Sequence, residues 1–435
     1  MSETVLVVGG GGREHAITRA LSPDAEVYAL SSNRNPGIAA LAAGTETAEA
    51  TDTDAVVAYA ESVGADAAVV GPEAALAAGV ADALNAAGVF TFGPTADAAR
   101  IETDKAFQRE FMATHDIPGT PEFETFDDAE GAADYVESVD DDVAVKPTGL
   151  TGGKGVRVTG DQVSHEEAAG YVRNSDHDEW VIEERLVGEE FTVQAFVADG
   201  TVRPTPAVQD HKRAYEGDEG PNTGGMGSYS DAGAALPFMT GTDYHDAVDV
   251  LEATVDALPE YTGVLYGQFM LTADGPKVVE FNARFGDPEA MNVLPVMETP
   301  LLDVVTAARE GERLPEPRFA NRATVCKYAV PAGYPTAPDA GAEIEVDEST
   351  VDAAAAGHGG DALLFYASVD ARETGLFTTT SRSFAVVGVA DDIPTAEAIA
   401  SDALDAAGDG LRVREDIGTE ELVRSRVDHV ASLRN

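Results

Sequence analysis

Two oxygen-bearing side chains and an arginine stand close together in the sequence, at a spacing that suits metal-assisted phosphate chemistry. Residues Lys277–Ala283 predict a β-strand, because apolar and β-branched residues lie between a Gly-Pro turn and a Gly-Asp-Pro breaker. Glu280 and Asn282 are two residues apart, so they share one face of that strand. Mg²⁺ in such sites takes one or two protein oxygens together with substrate phosphates, and Arg284 follows at the strand exit.

A strand whose polar side chains merely face water is the alternative interpretation of the same residues. Under either interpretation, strict alternation predicts that Val279 and Phe281 point to the opposite, buried face. Features upstream in the chain favour the chemical interpretation.

Lysine is scarce and its positions are informative. Lysine and arginine together number 28, and only six of these are lysines. Four of the six lie inside motifs that could contact an anion: Lys105, Lys146, Lys154 and Lys212. In a chain so poor in lysine, we expect the remaining ones to be used.

A glycine-rich hairpin is predicted around residues 143–158. The strand Val143–Lys146 leads into a loop containing Gly149, Gly152, Gly153, Lys154 and Gly155, and a second strand follows. Such loops expose backbone N–H groups that bind phosphates, although the spacing does not match a Walker loop. Lys146 is predicted to face a cleft and to pack little. A mobile surface hairpin is the alternative.

A second unusual segment runs from residue 209 to residue 230. It begins with Gln209-Asp210-His211-Lys212-Arg213 and continues into a loop rich in glycine and proline. This composition favours an anion or substrate clamp over a flexible linker.

The first hundred residues alternate apolar runs with helical patterns, which predicts a doubly wound α/β domain over residues 1–101. A strand is followed by four glycines, Arg13, Glu14 and a helix, a geometry that brings phosphates to a helix N-terminus. The third glycine of the dinucleotide fingerprint is missing, and the next strand ends in Ser31-Ser32 without an acid for a ribose. A dinucleotide-binding dehydrogenase or regulatory module is therefore the weaker alternative.

Composition restricts the partners and the surroundings. The 435 residues contain 78 acidic residues and carry a formal net charge of −50, which disfavours nucleic acid and anionic membranes as partners. The acidic surface is expected to tolerate or need high salt, a halophilic property. Cys326 is the single cysteine, so no internal disulfide forms, and the absence of a leader or an 18-residue apolar run predicts a cytoplasmic protein.

Taken together, the motifs resemble one family. Their order is a glycine-rich Arg-Glu-His near the start, the Lys146–Lys154 loop, Glu183-Glu184, Gln209–Arg213, Gly220-Pro221-Asn222-Thr223-Gly224-Gly225-Met226-Gly227 and Glu280-Phe281-Asn282-Ala283-Arg284-Phe285-Gly286-Asp287-Pro288-Glu289. The chain resembles the phosphoribosylamine–glycine ligases of purine biosynthesis, which are ATP-grasp enzymes, over nearly its whole length.

The resemblance implies a fold and a reaction. It implies a multidomain α/β and α+β protein: an N-terminal domain over residues 1–101, an ATP-grasp domain over 102–325 with a lid at about 121–187, and a C-terminal α+β domain over 326–435. It also implies that ATP, glycine and 5-phosphoribosylamine give ADP, phosphate and glycinamide ribonucleotide through a glycyl phosphate, with Mg²⁺ or Mn²⁺. We expect a monomer or weak dimer.

The resemblance also implies roles for individual residues. ATP contacts are assigned to Lys105, Lys146, Gly149, Gly152, Gly153, Lys154, Gly155, Glu183, Glu184, Leu186 and Glu190, and the metal to Glu280 and Asn282. Catalytic roles are assigned to Arg284, Lys212, Asp210 and Asp287. Substrate contacts are assigned to Gly10, Gly12, Arg13, Glu14, Pro221, Asn222, Thr223, Gly224, Gly225 and Met226.

The chain departs from the family pattern at three positions. Thr148 stands where the family usually has Asp, Ala283 where it has Cys, and Gln268 where small residues are usual. Another ATP-grasp carboxylate–amine ligase or carboxylase of purine metabolism is the closest alternative, and it should lack the segments 209–213 and 220–227.

Overall fold

The N-terminal region forms a five-stranded parallel sheet flanked by helices. The computed structural model describes residues 3–149, 155–408 and 410–435. The strand order is β3-β2-β1-β4-β5, and the central strand is fully buried over Val5–Val8. The elements are β1 (Glu3–Val8), α1 (Gly12–Leu21), β2 (Ala25–Ser31), α2 (Pro36–Leu41), β3 (Gly44–Thr47), α3 (Thr53–Val63), β4 (Ala67–Val70), α4 (Glu73–Ala77), α5 (Val80–Ala86) and β5 (Phe90–Phe92).

The next segment builds a small four-stranded sheet with its own apolar core. The strand order is β6-β9-β7-β8, and Trp180 and Ile182 are buried in that core against two helices. The predicted hairpin is present, since Ala144 pairs with Val158 in antiparallel register. The elements are α6 (Arg100–Thr103), α7 (Lys105–Thr114), β6 (Phe123–Phe126), α8 (Ala129–Ser138), β7 (Val143–Pro147), β8 (Arg157–Val158), α9 (His165–Arg173) and β9 (Trp180–Glu184).

The largest part of the central region is a four-stranded antiparallel sheet of order β11-β10-β16-β17. The elements of this region are β10 (Glu189–Ala198), β11 (Thr201–Pro204), β12 (Gln209–Asp210), β13 (Arg213–Tyr215), a 3-10 turn (Glu216–Asp218), β14 (Glu219–Asn222), β15 (Gly227–Ser230), α10 (Gly241–Ala257), β16 (Gly263–Thr272), β17 (Gly275–Asn282), α11 (Glu289–Val293), a 3-10 turn (Leu294–Val296) and α12 (Leu301–Glu310).

A β-bulge in β17 corrects the predicted alternation. Gln268 pairs with Glu280 but Phe269 pairs with Val278, so Val279 is an extra residue in the strand. Val278 is therefore the residue that shares the buried core with Phe281, while Val279 is only partly buried and lines the cleft described below. The strand was predicted correctly; the direction of Val279 was wrong.

The C-terminal region is an α+β unit whose main sheet also takes strands from the middle of the chain. Its path is β12-β15-β18-β23-β20, so residues 209–230 join the sheet built by residues 323–390. The elements are β18 (Ala323–Pro331), β19 (Glu343–Ile344), α13 (Glu348–Ala354), β20 (Asp361–Tyr366), β21 (Val369–Arg372), β22 (Gly375–Thr378), β23 (Phe384–Ala390), α14 (Ile393–Leu404), β24 (Leu411–Arg412) and α15 (Glu420–Leu433).

The arrangement confirms the predicted fold class, an N-terminal α/β unit followed by antiparallel sheets and an α+β C-terminal region. Cys326 is buried in β18. Within the part of the chain that the structure describes, none of the helices combines the length and the apolar character needed to cross a bilayer.

Candidate active site

A cleft of about 810 Å³ brings the predicted site residues together. Strands of both central sheets, among them β16 and β17, contribute to its walls together with the segment 209–224 and the start of α1. The predicted residues that line it are Arg13, Lys105, Lys146, Glu183, Glu184, Leu186, Glu190, Asp210, Lys212, Asn222, Thr223, Gly224, Glu280, Asn282, Arg284 and Asp287. Gly152, Gly153 and Lys154 lie outside the described residues.

One end of the cleft, here called the nucleotide end, is organised by a buried ion-pair network of Lys146, Glu183 and Arg109. Lys146 Nζ lies 2.7 Å from Glu183 Oε2, and Arg109 holds the same carboxylate with its Nε and Nη2 at 2.8 and 3.0 Å. Burial opposes ionisation of Glu183, but the charges of Arg109 and Lys146 prevail and lower its pKa. The prediction that Lys146 packs little is wrong, because only 8% of the residue is exposed.

The bulge in β17 supplies the backbone acceptors for this network. The Val279 carbonyl accepts hydrogen bonds from Lys146 Nζ at 3.1 Å and from Arg109 Nη2 at 2.8 Å. Lys105, at the start of α7, donates to the Gly149 carbonyl at 2.7 Å. Two lysines therefore converge on this end of the cleft, one fixed by a carboxylate and the other by a loop.

One predicted nucleotide contact, Glu184, has its side chain engaged elsewhere, and two predicted glycines are absent from the cleft lining. Glu184 accepts from the Glu122 N–H at 3.0 Å and lies 3.3 Å from Lys277 Nζ, so its carboxylate ties together the neighbouring strands. Gly155 and Gly149 lie beside the cleft lining rather than in it.

The middle of the cleft contains four polar side chains in contact. Lys212 Nζ donates to Gln268 Oε1 at 2.5 Å and lies 3.6 Å from Glu280 Oε1, while Gln268 donates in turn to Glu190. Burial opposes ionisation of Glu280, but Lys212, Lys146 and two further cations outweigh it and lower the pKa of Glu280 to about 2. Glu280 is therefore ionised at neutral pH.

Asn282 and Arg284 occupy the exit of β17. Arg284 Nη2 donates to Asn282 Oδ1 at 3.1 Å and pairs with Glu102 Oε1 at 2.9 Å. Glu102 also accepts from the Ala283 N–H at 2.7 Å, which fixes the strand exit. Burial raises the pKa of Glu102, although the charge of Arg284 opposes this.

The other end of the cleft, here called the acceptor end, is built around Asp287. Tyr328 donates its hydroxyl to Asp287 Oδ1 at 2.6 Å, and Arg382 Nη2 lies 3.1 Å from Asp287 Oδ2. The Arg382 guanidinium also stacks 4.5 Å from the centroid of the Tyr328 ring. Both partners of Asp287 come from the C-terminal region.

Asp210 has one carboxylate oxygen whose hydrogen-bonding capacity is not used by the described residues. Its Oδ1 atom is buried and has no hydrogen-bond partner within the structure, and the residue lines the cleft next to Lys212. Burial and the nearby Glu289 carboxylate raise the pKa of Asp210 well above its usual value. A group that accepts a proton more readily than an ordinary aspartate stands at this end.

The predicted basic clamp resolves into three different roles. Lys212 faces the cleft carboxylates, and Arg213 donates to the Gly220 carbonyl at 2.8 Å and pairs with Asp161. His211 is buried with both ring nitrogens unpartnered within the structure, and burial lowers its pKa to about 3. It is therefore uncharged at neutral pH.

The loop after this segment is held closely against it. Thr223 donates its N–H and its hydroxyl to the Lys212 carbonyl, each at 2.8 Å. Met226, predicted to contact substrate, has its side chain in the hydrophobic core, and its N–H donates to the His211 carbonyl at 2.8 Å. The prediction for Met226 is wrong, because an apolar side chain there is buried under the loop. Pro221 and Gly225 lie beside the cleft lining.

The glycine turn before α1 lies next to the acceptor end, but protein side chains already occupy the space around it. Arg13 lines the cleft and donates to the Phe285 carbonyl at 3.1 Å. Glu14 accepts from the Gly11 N–H at 2.7 Å and pairs with Arg13. A Cβ at Gly10 would collide with Asn33 Oδ1, and one at Gly12 would collide with the Tyr328 hydroxyl. Gly10 and Gly12 therefore permit close packing, and Arg13 is the member of this group that faces the cleft.

The donor set at β17 fits a divalent cation that also binds phosphate. Among the described residues, no group of three or more His, Cys, Asp or Glu side chains is arranged to hold a metal by itself. Glu280 supplies an ionised carboxylate and Asn282 an amide oxygen on the same wall of the cleft. One carboxylate and one neutral oxygen leave positions for phosphate oxygens and water, as Mg²⁺ requires.

Three residues that support the site lie outside the sequence motifs: Arg109, Glu102 and Arg382. Arg109 and Arg382 are engaged with partners 74 and 95 residues away along the chain, a separation that no local pattern encodes. The scarcity of basic residues was the available signal, since an arginine retained in so acidic a chain is a candidate for a buried role.

Comparison with known families assigns almost the whole chain. Models of the phosphoribosylglycinamide synthetase N domain, ATP-grasp (A) domain and C domain match residues 3–102, 103–290 and 324–420. A phosphoribosylamine–glycine ligase from Methanococcoides burtonii is 51% identical, with 99% of each chain covered. One from Methanothermobacter thermautotrophicus is 48% identical over 99% of this chain and 100% of its own.

Solved structures show the same fold. The crystal structure of phosphoribosylamine–glycine ligase from Thermotoga maritima has 25% identity and a TM-score of 0.78, covering 95% of this chain and 99% of that one. The biotin carboxylase domain of Hydrogenobacter thermophilus 2-oxoglutarate carboxylase, solved with MgADP and bicarbonate, has 16% identity, a TM-score of 0.72 and coverage of 99% and 94%. The second likeness concerns the fold alone. The family matches and the high identity over the full length agree with the cleft geometry, and the chain therefore belongs to the phosphoribosylamine–glycine ligase (phosphoribosylglycinamide synthetase) family of ATP-grasp enzymes.

Proposed function

We propose that this protein joins glycine to 5-phosphoribosylamine, using ATP, to give glycinamide ribonucleotide, ADP and phosphate. The observation that carries the proposal is that one cleft holds Lys105 and Lys146 at one end, Glu280 in the middle, and Asp210 and Asp287 at the other. A phosphate-binding end is thus continuous with an end that presents carboxylates to small polar substrates.

ATP occupies the nucleotide end. The phosphates lie against Lys105 and Lys146, the adenine meets the backbone near Glu184 and Leu186, and the ribose approaches Glu190. The Lys146 ammonium is already oriented by Glu183, so little reorganisation accompanies binding.

The chemistry starts at the middle of the cleft. A glycine carboxylate oxygen attacks the γ-phosphorus, ADP leaves, and glycyl phosphate forms. Arg284 and Lys212 flank this position and balance charge as the phosphoryl group moves. A divalent cation bound by Glu280 and Asn282 supplies charge neutralisation for the phosphate oxygens.

The second step takes place at the acceptor end. The amine of phosphoribosylamine attacks the carbonyl carbon of glycyl phosphate, the new C–N bond forms, and inorganic phosphate leaves as the C–O bond breaks. The attacking nitrogen must lose a proton, and Asp210 Oδ1, buried and without a partner in the structure, is the acceptor we assign.

The decisive experiment is ADP formation by the purified protein with each substrate omitted in turn. We expect release of ADP to require both glycine and phosphoribosylamine, and the product to contain one glycyl group per ADP. Release of ADP with bicarbonate in place of glycine would instead identify an ATP-grasp carboxylase and contradict the proposal.

The domain limits and the assembly state belong to the same proposal. We assign residues 1–101, 102–325 with a lid at about 121–187, and 326–435 to three domains, supported by the small sheet of residues 123–184 with its own core. A net charge of −50 favours a monomer or weak dimer, and light scattering coupled to size exclusion tests this.

A further inference from the structure

We propose that Arg382 is a positioning residue for the reaction: it fixes the acceptor end by holding Asp287 and the Gly224–Gly225 turn in one arrangement. The inference rests on the proposed function, which gives the acceptor end its meaning. None of the sequence motifs includes Arg382, which lies in the segment between β22 and β23 of the C-terminal region.

The guanidinium binds two separate chain segments at once. Arg382 Nη1 donates to the carbonyls of Gly224, Gly225 and Asp287 at 2.6, 3.0 and 3.0 Å, and Nη2 pairs with Asp287 Oδ2 at 3.1 Å. Its side chain is only 12% exposed. One planar guanidinium thus donates to three carbonyls and a carboxylate, a pattern that a lysine ammonium cannot reproduce.

Arg382 is itself anchored to a rigid element. The next residue, Ser383, donates its N–H to the Ala329 carbonyl of β18 at 3.0 Å, and the Arg382 carbonyl accepts from the Ser368 N–H at 2.9 Å. The guanidinium stacks on Tyr328 of the same strand. The fork is therefore fixed to the C-terminal sheet rather than to a free loop.

The turn it holds has little room to move. Gly225 has a φ of +108°, and a Cβ there would meet Asp210 Oδ1 at 2.6 Å and Pro288 Cδ at 2.7 Å. The turn thus lies directly against Asp210, the proposed proton acceptor. If the turn shifted, Asp210 and Asp287 would shift with it. Arg382 is thereby linked to both carboxylates of the acceptor end, although it does not contact the described residues of the nucleotide end of the cleft.

The test is the kinetics and binding of Arg382→Lys, which keeps the charge and loses the fork. We expect kcat/KM for glycine and for phosphoribosylamine to fall about 10- to 100-fold, the loss typical of a misplaced reacting group. The Kd for ATP, measured by calorimetry, should stay within about twofold of the wild-type value. Equal losses for ATP and for the acceptor substrates, or no loss for either, would overturn the proposal.

A mutant cycle separates positioning from general structural support. Because Arg382 acts partly through Asp287 and partly through the turn, adding Arg382→Lys to Asp287→Asn should reduce kcat/KM for the acceptor substrates by a smaller factor than Arg382→Lys does in the wild type. Multiplication of the two separate losses would contradict the assignment.

A matched control comes from Arg322, which also donates to a backbone carbonyl, that of Val389 at 2.8 Å, and lies outside the cleft lining. Arg322→Lys should leave every kinetic constant unchanged, and a loss there equal to that of Arg382→Lys would overturn the proposal. Failure of the proposed function is distinguishable, because the wild-type protein would then show no ADP release dependent on glycine and phosphoribosylamine, whatever the variants do.

Discussion

The two ends of the cleft are held by different kinds of interaction. At the nucleotide end, side-chain charges hold each other: Lys146 and Arg109 share the Glu183 carboxylate. At the acceptor end, arginines hold backbone: Arg382 binds the carbonyls of Gly224, Gly225 and Asp287. The first arrangement keeps ionised side chains buried in fixed positions, and the second fixes the backbone of a loop.

The acceptor-end pattern extends along the whole segment that follows Asp210. Arg412 donates to the Ala214 carbonyl at 2.5 Å, and Arg414 donates to the Arg213 carbonyl at 3.0 Å and pairs with Asp218. All these arginines lie beyond residue 380, so the C-terminal region supports the acceptor end directly. Substitutions should therefore change affinity and stability together at the nucleotide end, and catalytic geometry at the acceptor end.

The largest expected effect lies at Glu280, which separates the two ends. Glu280→Gln keeps the shape and removes the charge that a divalent cation and Lys212 require, so kcat should fall by more than about 100-fold. The measurement is ADP release at saturating substrates with titrated Mg²⁺ and Mn²⁺. Glu298→Gln, at an exposed carboxylate outside the cleft lining, is the control and should leave kcat unchanged. If Glu280→Gln keeps near-normal turnover and metal dependence, Glu280 and Asn282 do not bind a catalytic metal and are only solvent-facing residues of an edge strand.

Lys146→Ala tests whether charge at the nucleotide end serves both binding and folding. Loss of a charge-assisted contact should weaken ATP binding about 10- to 150-fold. The free energy of unfolding should also fall by about 1.5–3 kcal/mol, because the buried Glu183 loses one of its two cationic partners. Calorimetry and denaturant unfolding measure the two effects. Lys277→Ala, at a half-buried pair with Glu184, should change both far less.

Lowering the pH should reduce the stability of the protein first through His211, beside the acceptor end, and at lower pH through Glu183, at the nucleotide end. His211 has a folded pKa of about 3 against 6.5 unfolded, because burial disfavours its charged form. Below pH 6.5 the unfolded chain binds a proton that the folded chain does not, so stability falls as the pH drops, by up to about 1.4 kcal/mol per pH unit. The lowered pKa of Glu183 means that its stabilisation is lost only as the pH falls below 4.5.

His211→Leu checks this order. Denaturant unfolding between pH 4.5 and 6.5 should show a shallower dependence of stability on pH in the variant, by up to about 1.4 kcal/mol per pH unit. Above pH 7.5, where histidine is neutral in both states, the variant and the wild type should have parallel curves. Identical slopes below pH 6.5 would show that His211 titrates as it does in the unfolded chain.

Salt should affect both ends of the cleft equally, so the difference between them is expected to be smallest when the salt concentration is varied. Screening relieves repulsion among surface carboxylates at separations beyond roughly 10 Å near 0.1 M salt, so Tm should rise substantially between low and molar KCl. Lys146→Ala and Arg382→Lys should show the same rise as the wild type. A flat or falling Tm would contradict the halophilic interpretation of the acidic surface.

Much of the site could be predicted because its reactive groups lie in short, contiguous motifs. Glu280, Asn282 and Arg284 are spaced two residues apart, so a strand brings them to one wall. The family, the fold class and the ligase activity were also predicted and are confirmed by the comparisons. The roles of individual site residues remain predictions.

The supporting contacts could not be predicted, since they join distant segments. The Arg109–Glu183 pair and the Arg382–Asp287 pair depend on how sheets pack, and no periodicity of the sequence carries that information. The bulge was missed for a local reason. Val278 and Val279 are both apolar and β-branched, so either residue suits the core and the sequence does not show which one is extra.

That extra residue has a consequence for protein engineering. Deleting Val279 would restore a regular ladder, but the backbone carbonyl now bound by Lys146 and Arg109 would be drawn into strand pairing or lost. The residues on either side would keep their pairing and their faces, because Gln268 already pairs with Glu280 and Phe269 with Val278. A designer who grafts this edge onto another scaffold must therefore copy all eight residues of β17 rather than seven, because the irregular one connects the strand to Lys146.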